Sequence, residues 1–329
     1  MIPYIHVSDL KIGPATLHPF GLLVASGVVL GTYLATRRAR QRGVDLDLLN
    51  SFITWMLVGG FAGAHMFDEI FYHPHEIVKR PWSLLLLWEG LSSFGGFLGA
   101  ILGVLAWKYF EAEPFIRLGP IATIPKFKRR AQPMPILALA DLIASVFPVA
   151  WILGRSGCTV VHDHPGARAS ADALFAVAYG PVPNAQAVHR IVELGQGAGQ
   201  FFIELRHGTA PQYDLGLLEL MFTTVLSLFF ALTWAKRLPT GTYLIAIAFA
   251  YPPVRLVMDF LRIKEGESAD LRYGSLTFAQ WSCIALFLFG FVLVRRVRDI
   301  KASGKDPMDL VLRRLPKAPK ATDEPPLVA

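Results

Sequence analysis

The sequence predicts an all-α integral membrane protein of about seven transmembrane helices with a small extracytoplasmic head. Hydrophobic residues fill 53% of the 329 positions and charged residues only 17%, against roughly 25% charged in an ordinary soluble domain. The apolar residues are gathered in blocks close to the roughly 20 residues a helix needs to cross a bilayer, instead of recurring at a period of about 2 or 3.6. The basic residues, which give a net charge of +7, sit in short clusters between those blocks. A nucleic-acid-binding domain would concentrate them on one face and interleave aromatics, so no nucleic acid partner is expected.

Taken in order, the blocks place spans near 17–36, 51–70, 83–107, 134–155, 215–235, 240–261 and 276–294. The first sixteen residues carry Asp9 and Lys11 and no apolar core of signal-peptide type, so the first span reads as an uncleaved anchor. Seven spans put the termini on opposite sides. One set of alternate loops holds Arg37, Arg38, Arg40 and Arg42, then Lys108, Arg117, Lys126, Lys128, Arg129 and Arg130, then Lys236 and Arg237, then a tail opening with Arg295, Arg296 and Arg298. That side carries about two thirds of the basic residues, which makes it cytoplasmic and the amino terminus extracytoplasmic. The long connection 156–214 lies on the other side. Its apolar runs Ala173–Tyr179 and Gln200–Leu205, broken by Gly and Pro, read as short strands of the head. Residues 1–294 thus form the membrane domain. The stretch 295–329, rich in Pro, Lys and Asp toward its end, is expected to be a disordered cytoplasmic tail.

Charges at a membrane are costly, so each is a functional candidate. Arg155 closes the fourth block within Gly154-Arg155-Ser156-Gly157-Cys158 and is followed by His162-Asp163-His164-Pro165-Gly166. Arg255, Asp259 and Arg262 recur at spacings of four and three, which puts them on one helix face with Asp259 able to pair either arginine. In the topology above both clusters fall on the extracytoplasmic side, where positive charge is disfavoured. Snorkelling to the interface is one account of them. A phosphate site is the other, because guanidinium forks bind phosphate oxygens bidentately and keep their charge at a low-dielectric boundary. Histidines supply candidate bases near neutral pH. His18, His65, His73, His75, His162, His164, His189 and His207 all fall at or near the same side. His162 and His164, two residues apart with no evident third ligand, are a weak metal pattern, and no metal is expected. The two cysteines, Cys158 and Cys283, lie in or beside apolar segments and suggest no disulfide framework. Serine-nucleophile and phosphate-loop patterns are absent.

These residues resemble the bacterial prolipoprotein diacylglyceryl transferase family. The family opens its first span with Gly-Pro and Leu-His-x-Tyr-Gly, matched here by Gly13-Pro14 and Leu17-His18-Pro19-Phe20-Gly21. Its signature G-R-x-G-N-F-x-N-x-E-x-x-G is matched at Gly154, Arg155, Gly157 and Gly166, with Asp163 at the glutamate. Its late R-x-x-x-E-F-x-R is matched by Arg255, Asp259, Phe260 and Arg262, and Trp88-Glu89-Gly90, Ser93-Phe94 and Gly95-Gly96 also correspond. The departures are Cys158 and Val161 at the signature asparagines and Phe20 at the first-span tyrosine. His65 stands at the second-span arginine, and Phe94 runs directly into Gly95 where the family has a histidine. The H-P-S-Q-L-Y-E stretch has become Tyr213-Asp214-Leu215-Gly216-Leu217-Leu218-Glu219.

The resemblance implies a multi-pass inner-membrane enzyme of lipoprotein biosynthesis without a cofactor. It would move the diacylglyceryl group of phosphatidylglycerol to the lipobox cysteine of a preprolipoprotein, forming a thioether and releasing glycerol phosphate. Its partners would be phosphatidylglycerol and other membrane lipid, and preprolipoprotein signal peptides. Arg155 and Arg255 would hold the phosphate, with Asp259 orienting Arg255 and a histidine among His65, His162 and His164 as base. Gly157, Cys158, Asp163, Gly166, Arg262, His18 and Phe20 complete the expected substrate site. Because several polar signature residues are replaced, a catalytically silent paralogue that binds anionic lipid or lipoprotein precursors is the alternative. A small-solute transporter is a weaker one, since internal repeats are lacking.

Overall fold

The computed structural model describes residues 2–5, 7–13, 15–71, 73–86, 90–118, 122–170, 173–179, 210–263 and 272–312. Among them the helices run α1 (Pro19–Arg42), α2 (Leu46–Phe71), α3 (Pro74–Lys79), α4 (Ser93–Tyr109), α5 (Ile136–Ala144), α6 (Phe147–Val161), α7 (Leu215–Leu232), α8 (Thr242–Asp259) and α9 (Phe278–Ser303). By length and composition α1, α2, α7 and α9 can each cross a membrane, and α5 with α6, bent by 54° at a short break, can count as a fifth span. Pro148 explains the break, because proline removes an amide donor and favours the first turn of a new helix. The expected third span near 83–107 is a shorter apolar helix, α4, preceded by a 3-10 turn over Pro81–Leu85. Ser92 starts α4 by accepting from the Gly95 amide, which satisfies an otherwise orphaned donor.

The chain divides into two compact units, Met1–Thr36 with Leu137–Asp306, and Arg37–Ile136 with the residues from Pro307 onward. In the second, α2 and α4 meet backbone to backbone. A Cβ added at Gly63 would lie 2.6 Å from the Gly95 carbonyl oxygen and 2.6 Å from the Gly99 Cα, and one at Gly59 2.5 Å from the Gly99 carbonyl. Small residues four apart are what lets membrane helices approach this closely. Replacing Gly63 by Leu should destabilise the protein by roughly 3 kcal/mol, at the upper end for overpacking, because backbone cannot yield as a side chain can. An unchanged unfolding midpoint in detergent would contradict this packing.

The loop expected after the third span instead forms a ribbon, β4 (Phe110–Leu118) against β5 (Ala122–Arg129), with Glu111 opposite Lys128 and Glu113 opposite Lys126. Opposite charges facing across a ladder favour that register. The tail expected to be disordered from residue 295 begins as the last turns of α9, which ends at Gly304 in the left-handed conformation. Leu312 then bridges to Val44 within the second unit. Residues 313–329 lie outside the described residues.

The first unit contains α1, a four-stranded sheet and α5 to α9. The sheet order is β1 (Ile2–Pro3), β7 (Ala176–Tyr179), β8 (Ala210–Asp214), β6 (Pro165–Arg168). β1 runs parallel to β7, while β8 is antiparallel to both β7 and β6. Of the two strands expected in the head, 173–179 contains β7, and 200–205 lies outside the described residues. The all-α expectation is corrected to this extent: the helices carry a small sheet, formed where short apolar runs flanked by Pro and Gly cannot sustain a helix. In β7 and β8, Tyr179 pairs with Ala210, so the chain leaves and re-enters the sheet at neighbouring points. β8 passes directly into α7, whose N-cap Asp214 accepts from the Leu217 amide at 3.0 Å. At the other end of the unit, the N-cap of α8 is Gly241 and has no side chain to offer. Buried Asp141 of α5 instead accepts from the Leu244 amide at 3.0 Å, placing a carboxylate at the positive end of α8.

Candidate active site

Charged side chains of α6, α7 and α8 converge on one buried carboxylate, which closes the family stretch 213–219 but is not among the site residues expected from the sequence. Glu219, in the second turn of α7, is 1% exposed. Arg155 of α6 reaches its Oε1 from Nη2 at 2.9 Å, and Arg255 of α8 approaches its Oε2 from Nη1 at 3.6 Å. Tyr251, one turn before Arg255, donates its hydroxyl to Oε1 at 2.8 Å. Tyr251, Arg255 and Asp259 recur every four residues, so α8 presents all three on one face. Pro252 and Pro253 interrupt that helix beside them and deprive the carbonyls of Ala248 and Phe249 of their intrahelical donors.

Asp259, fully buried, sits 3.1 Å from Nε of Arg262 and 3.6 Å from Nη2 of Arg255. It thus holds Arg262 more closely than the Arg255 it was expected to orient. Its second oxygen accepts from the Thr277 hydroxyl. Thr277 is fixed in turn by a capping box with Gln280 at the start of α9, so a cap of one helix also braces the acid of another.

Arg155 has further neighbours on α6. Its guanidinium lies 5.4 Å from the centroid of the Trp151 ring, and Nη1 is 3.6 Å from Sγ of Cys158. Gly157 lets α1 approach closely, since a Cβ there would fall 3.0 Å from the Phe20 ring. Gly166 forms an isolated bridge with Arg262, and a Cβ there would lie 2.9 Å from the Leu261 carbonyl oxygen. This glycine is needed for that approach, which ties the end of α8 to β6. His18 is exposed and lies 2.9 Å from Asp9.

The three candidate bases are placed very differently. His65, in the second unit, is fully buried with Nε2 2.9 Å from the Ser83 carbonyl and Nδ1 3.2 Å from that of Gly90. His162 ends α6 in the left-handed conformation, with Nδ1 2.5 Å from Asp214, Nε2 3.1 Å from the Ile5 carbonyl, and its ring stacked on Tyr4. Both ring nitrogens of each are thus committed to the protein. Through Asp214, His162 joins the end of α6 to the start of α7. His164 differs: Nδ1 is 2.5 Å from Asp163, and no partner of Nε2 is found among the described residues.

Among the described residues the cluster sets three guanidiniums, Arg155, Arg255 and Arg262, against two carboxylates, Glu219 and Asp259. Glu219 is shared by two of the guanidiniums and Asp259 by two, with Arg255 common to both. Nη1 of Arg255 is buried and makes no hydrogen bond within the described residues. A buried guanidinium donor without a hydrogen bond is what an anionic group would complete.

The sequence model of the prolipoprotein diacylglyceryl transferases matches residues 8–296. The chain belongs to the prolipoprotein diacylglyceryl transferase family. It is similar to the phosphatidylglycerol-prolipoprotein diacylglyceryl transferase of Azoarcus sp. (strain BH72), 25% identical over 303 residues that make up 90% of this chain and 96% of the relative. The protein of the same name from Bradyrhizobium diazoefficiens is 24% identical over 92% of this chain and 94% of its own length. That of Tolumonas auensis reaches 32% identity over 120 residues, which cover 35% of this chain and 46% of the relative. The family match runs through α6, α7 and α8, so the arginine cluster lies wholly within it. Glu219, Tyr251 and Thr277 are the members that sequence reasoning missed. Glu219 carried the signal that had flagged the arginines, a charge inside an apolar block.

Proposed function

We propose that this chain transfers the diacylglyceryl group of phosphatidylglycerol to the lipobox cysteine of a preprolipoprotein. A carbon–sulfur bond forms, the bond between the glyceryl carbon and the phosphate ester oxygen breaks, and glycerol phosphate leaves with the electron pair. The observation that carries the reading is the pair of guanidiniums, Arg155 and Arg255, gathered on one buried carboxylate with Nη1 of Arg255 making no hydrogen bond among the described residues, since the leaving phosphate gains charge as that bond breaks. Arg155 and Arg255 bind the phosphate, and Glu219, Asp259 and Tyr251 set their positions. Gly157, Cys158, Phe20 and the Asp163–Gly166 turn line the approach of the substrates. The family match over nearly the whole chain favours turnover over a silent lipid binder. The protein is a multi-pass inner-membrane enzyme with seven crossings, counting α4, the bent α5–α6 pair and α8 as spans. Its amino terminus and sheet face outward, its carboxyl end faces inward, and a preprolipoprotein signal peptide delivers the thiol.

The test is purified protein, phosphatidylglycerol in mixed micelles and a lipobox peptide, with the peptide's mass gain as readout. The expected result is addition of one diacylglyceryl group, with no addition when phosphatidylglycerol is omitted. No mass gain from a folded, lipid-binding protein would reject transfer. Topology is checked separately: reporters after Arg42, Arg130 and Arg298 should score cytoplasmic and one after Arg190 extracytoplasmic. A cytoplasmic signal at Arg190 would overturn the orientation.

A further inference from the structure

The reaction needs a group to take the acceptor thiol's proton, and the arginine cluster cannot do so, because guanidinium stays protonated. Of the three histidines considered above, His65 and His162 have both ring nitrogens engaged by other groups of the protein. His164 has its Nδ1 against Asp163 and is partly exposed, with 23% of its side chain accessible. A carboxylate on Nδ1 fixes the ring and the tautomer that leaves Nε2 as the acceptor.

The position is also suitable. A ring nitrogen of His164, a carboxylate oxygen of Asp163 and Sγ of Cys158 all lie within 4.8 Å of one another. That sulfur is 3.6 Å from Nη1 of Arg155, whose other terminal nitrogen reaches Glu219. The imidazole and the phosphate-binding guanidinium thus approach the same Cys158 sulfur, which puts His164 beside the arginine cluster. A metal ion held by the same three side chains would meet the Arg155 charge at that sulfur, which opposes a cation there. The backbone holds His164 in place: its carbonyl accepts from the Leu215 amide at 3.0 Å, and Pro165 begins β6 immediately after it.

We propose that His164, oriented by Asp163, is the general base for the acceptor thiol. The inference rests on the transferase reading above. The S–H proton passes to Nε2, the sulfur lone pair forms the bond to the glyceryl carbon, and the ester oxygen departs with its electron pair as glycerol phosphate. The proton on Nε2 is then released to water. Asp163 is a positioning residue that acts through the imidazole.

Two acceptor peptides separate this role from a structural one. A cysteine lipobox peptide needs a base, whereas its selenocysteine analogue is ionised at neutral pH and does not. His164→Gln should lose about 100-fold or more in transfer to the cysteine peptide, the usual scale of general-base catalysis. It should stay within a few-fold of the unsubstituted protein on the selenocysteine peptide and bind phosphatidylglycerol normally. His164→Asn, which keeps a donor where Nδ1 was, should show the same split between peptides. Asp163→Asn should lose about 10-fold on the cysteine peptide alone, and added imidazole should restore part of the His164→Gln loss. Full activity of His164→Gln on the cysteine peptide, or an equal loss on both peptides, would overturn the assignment. Lack of transfer to either peptide by the unsubstituted protein would instead reject the transferase reading.

Discussion

Glu219→Gln is expected to abolish most transfer activity and to lower the unfolding midpoint in detergent. The substitution keeps the side-chain volume and an acceptor for Tyr251, and it removes the negative charge that Arg155 and Arg255 share. Breaking a buried charge pair by neutralising one member costs about 3–5 kcal/mol, because the partner stays buried without compensation. Here two guanidiniums lose the same partner, so the stability loss should lie at the upper part of that range, and transfer should fall at least about 100-fold as the forks lose their aim. Tyr251→Phe removes only a neutral hydroxyl from Oε1 and should cost about 1 kcal/mol. The comparison is made by thermal unfolding and peptide transfer on both variants. Near-normal stability and turnover in Glu219→Gln would mean that the carboxylate does not organise the arginines.

The reason Glu219 escaped the sequence reading shows what a linear sequence can convey about this fold. Apolar block length announces the long helices α1, α2, α7 and α9, and the cost of charge in a membrane singles out Arg155 and Arg255, since both signals are local. Glu219 gives the same local signal, yet nothing in the chain says that residue 219 meets residues 155 and 255. That pairing depends on how α6, α7 and α8 pack. Tyr251 gives weaker notice still, as one hydroxyl in an apolar run. His65, His162 and His164 were equivalent as letters and differ only in which ring nitrogens the fold occupies. The β4–β5 ribbon is obscured for another reason: its alternating Glu and Lys residues are few, and its lysines and arginines, read as the positive charge of a cytoplasmic loop, hide the strand pattern.

Arg155→Lys and Arg255→Lys should each reduce transfer about 100-fold, the scale seen when one preorganised donor to a developing anion is lost. Lysine preserves the charge but replaces a planar fork by a single ammonium, which cannot bridge Glu219 and a phosphate in fixed geometry. Interfacial snorkelling would survive this exchange almost intact. Because both arginines hold opposite oxygens of Glu219, they form one unit, and the double variant should lose much less than the product of the two single losses. Phosphatidylglycerol binding should weaken in parallel. Strictly multiplicative losses would indicate two independent roles, and normal binding with normal transfer in both single variants would remove the arginines from the phosphate site.

The pairing of Tyr179 with Ala210 has a consequence for how this enzyme can vary. Because the sheet brings these two residues side by side, the chain between them forms a closed excursion whose ends are already fixed by the ladder. Doubling the length of such an excursion adds only about 0.6 kcal/mol of closure entropy. The arginine cluster is anchored elsewhere, by α6, by the β8–α7 junction and by the Gly166–Arg262 bridge. Whatever the length of the chain between residues 179 and 210, its two ends meet at the same rung of the ladder, so a change in that length need not shift the elements that carry the arginine cluster.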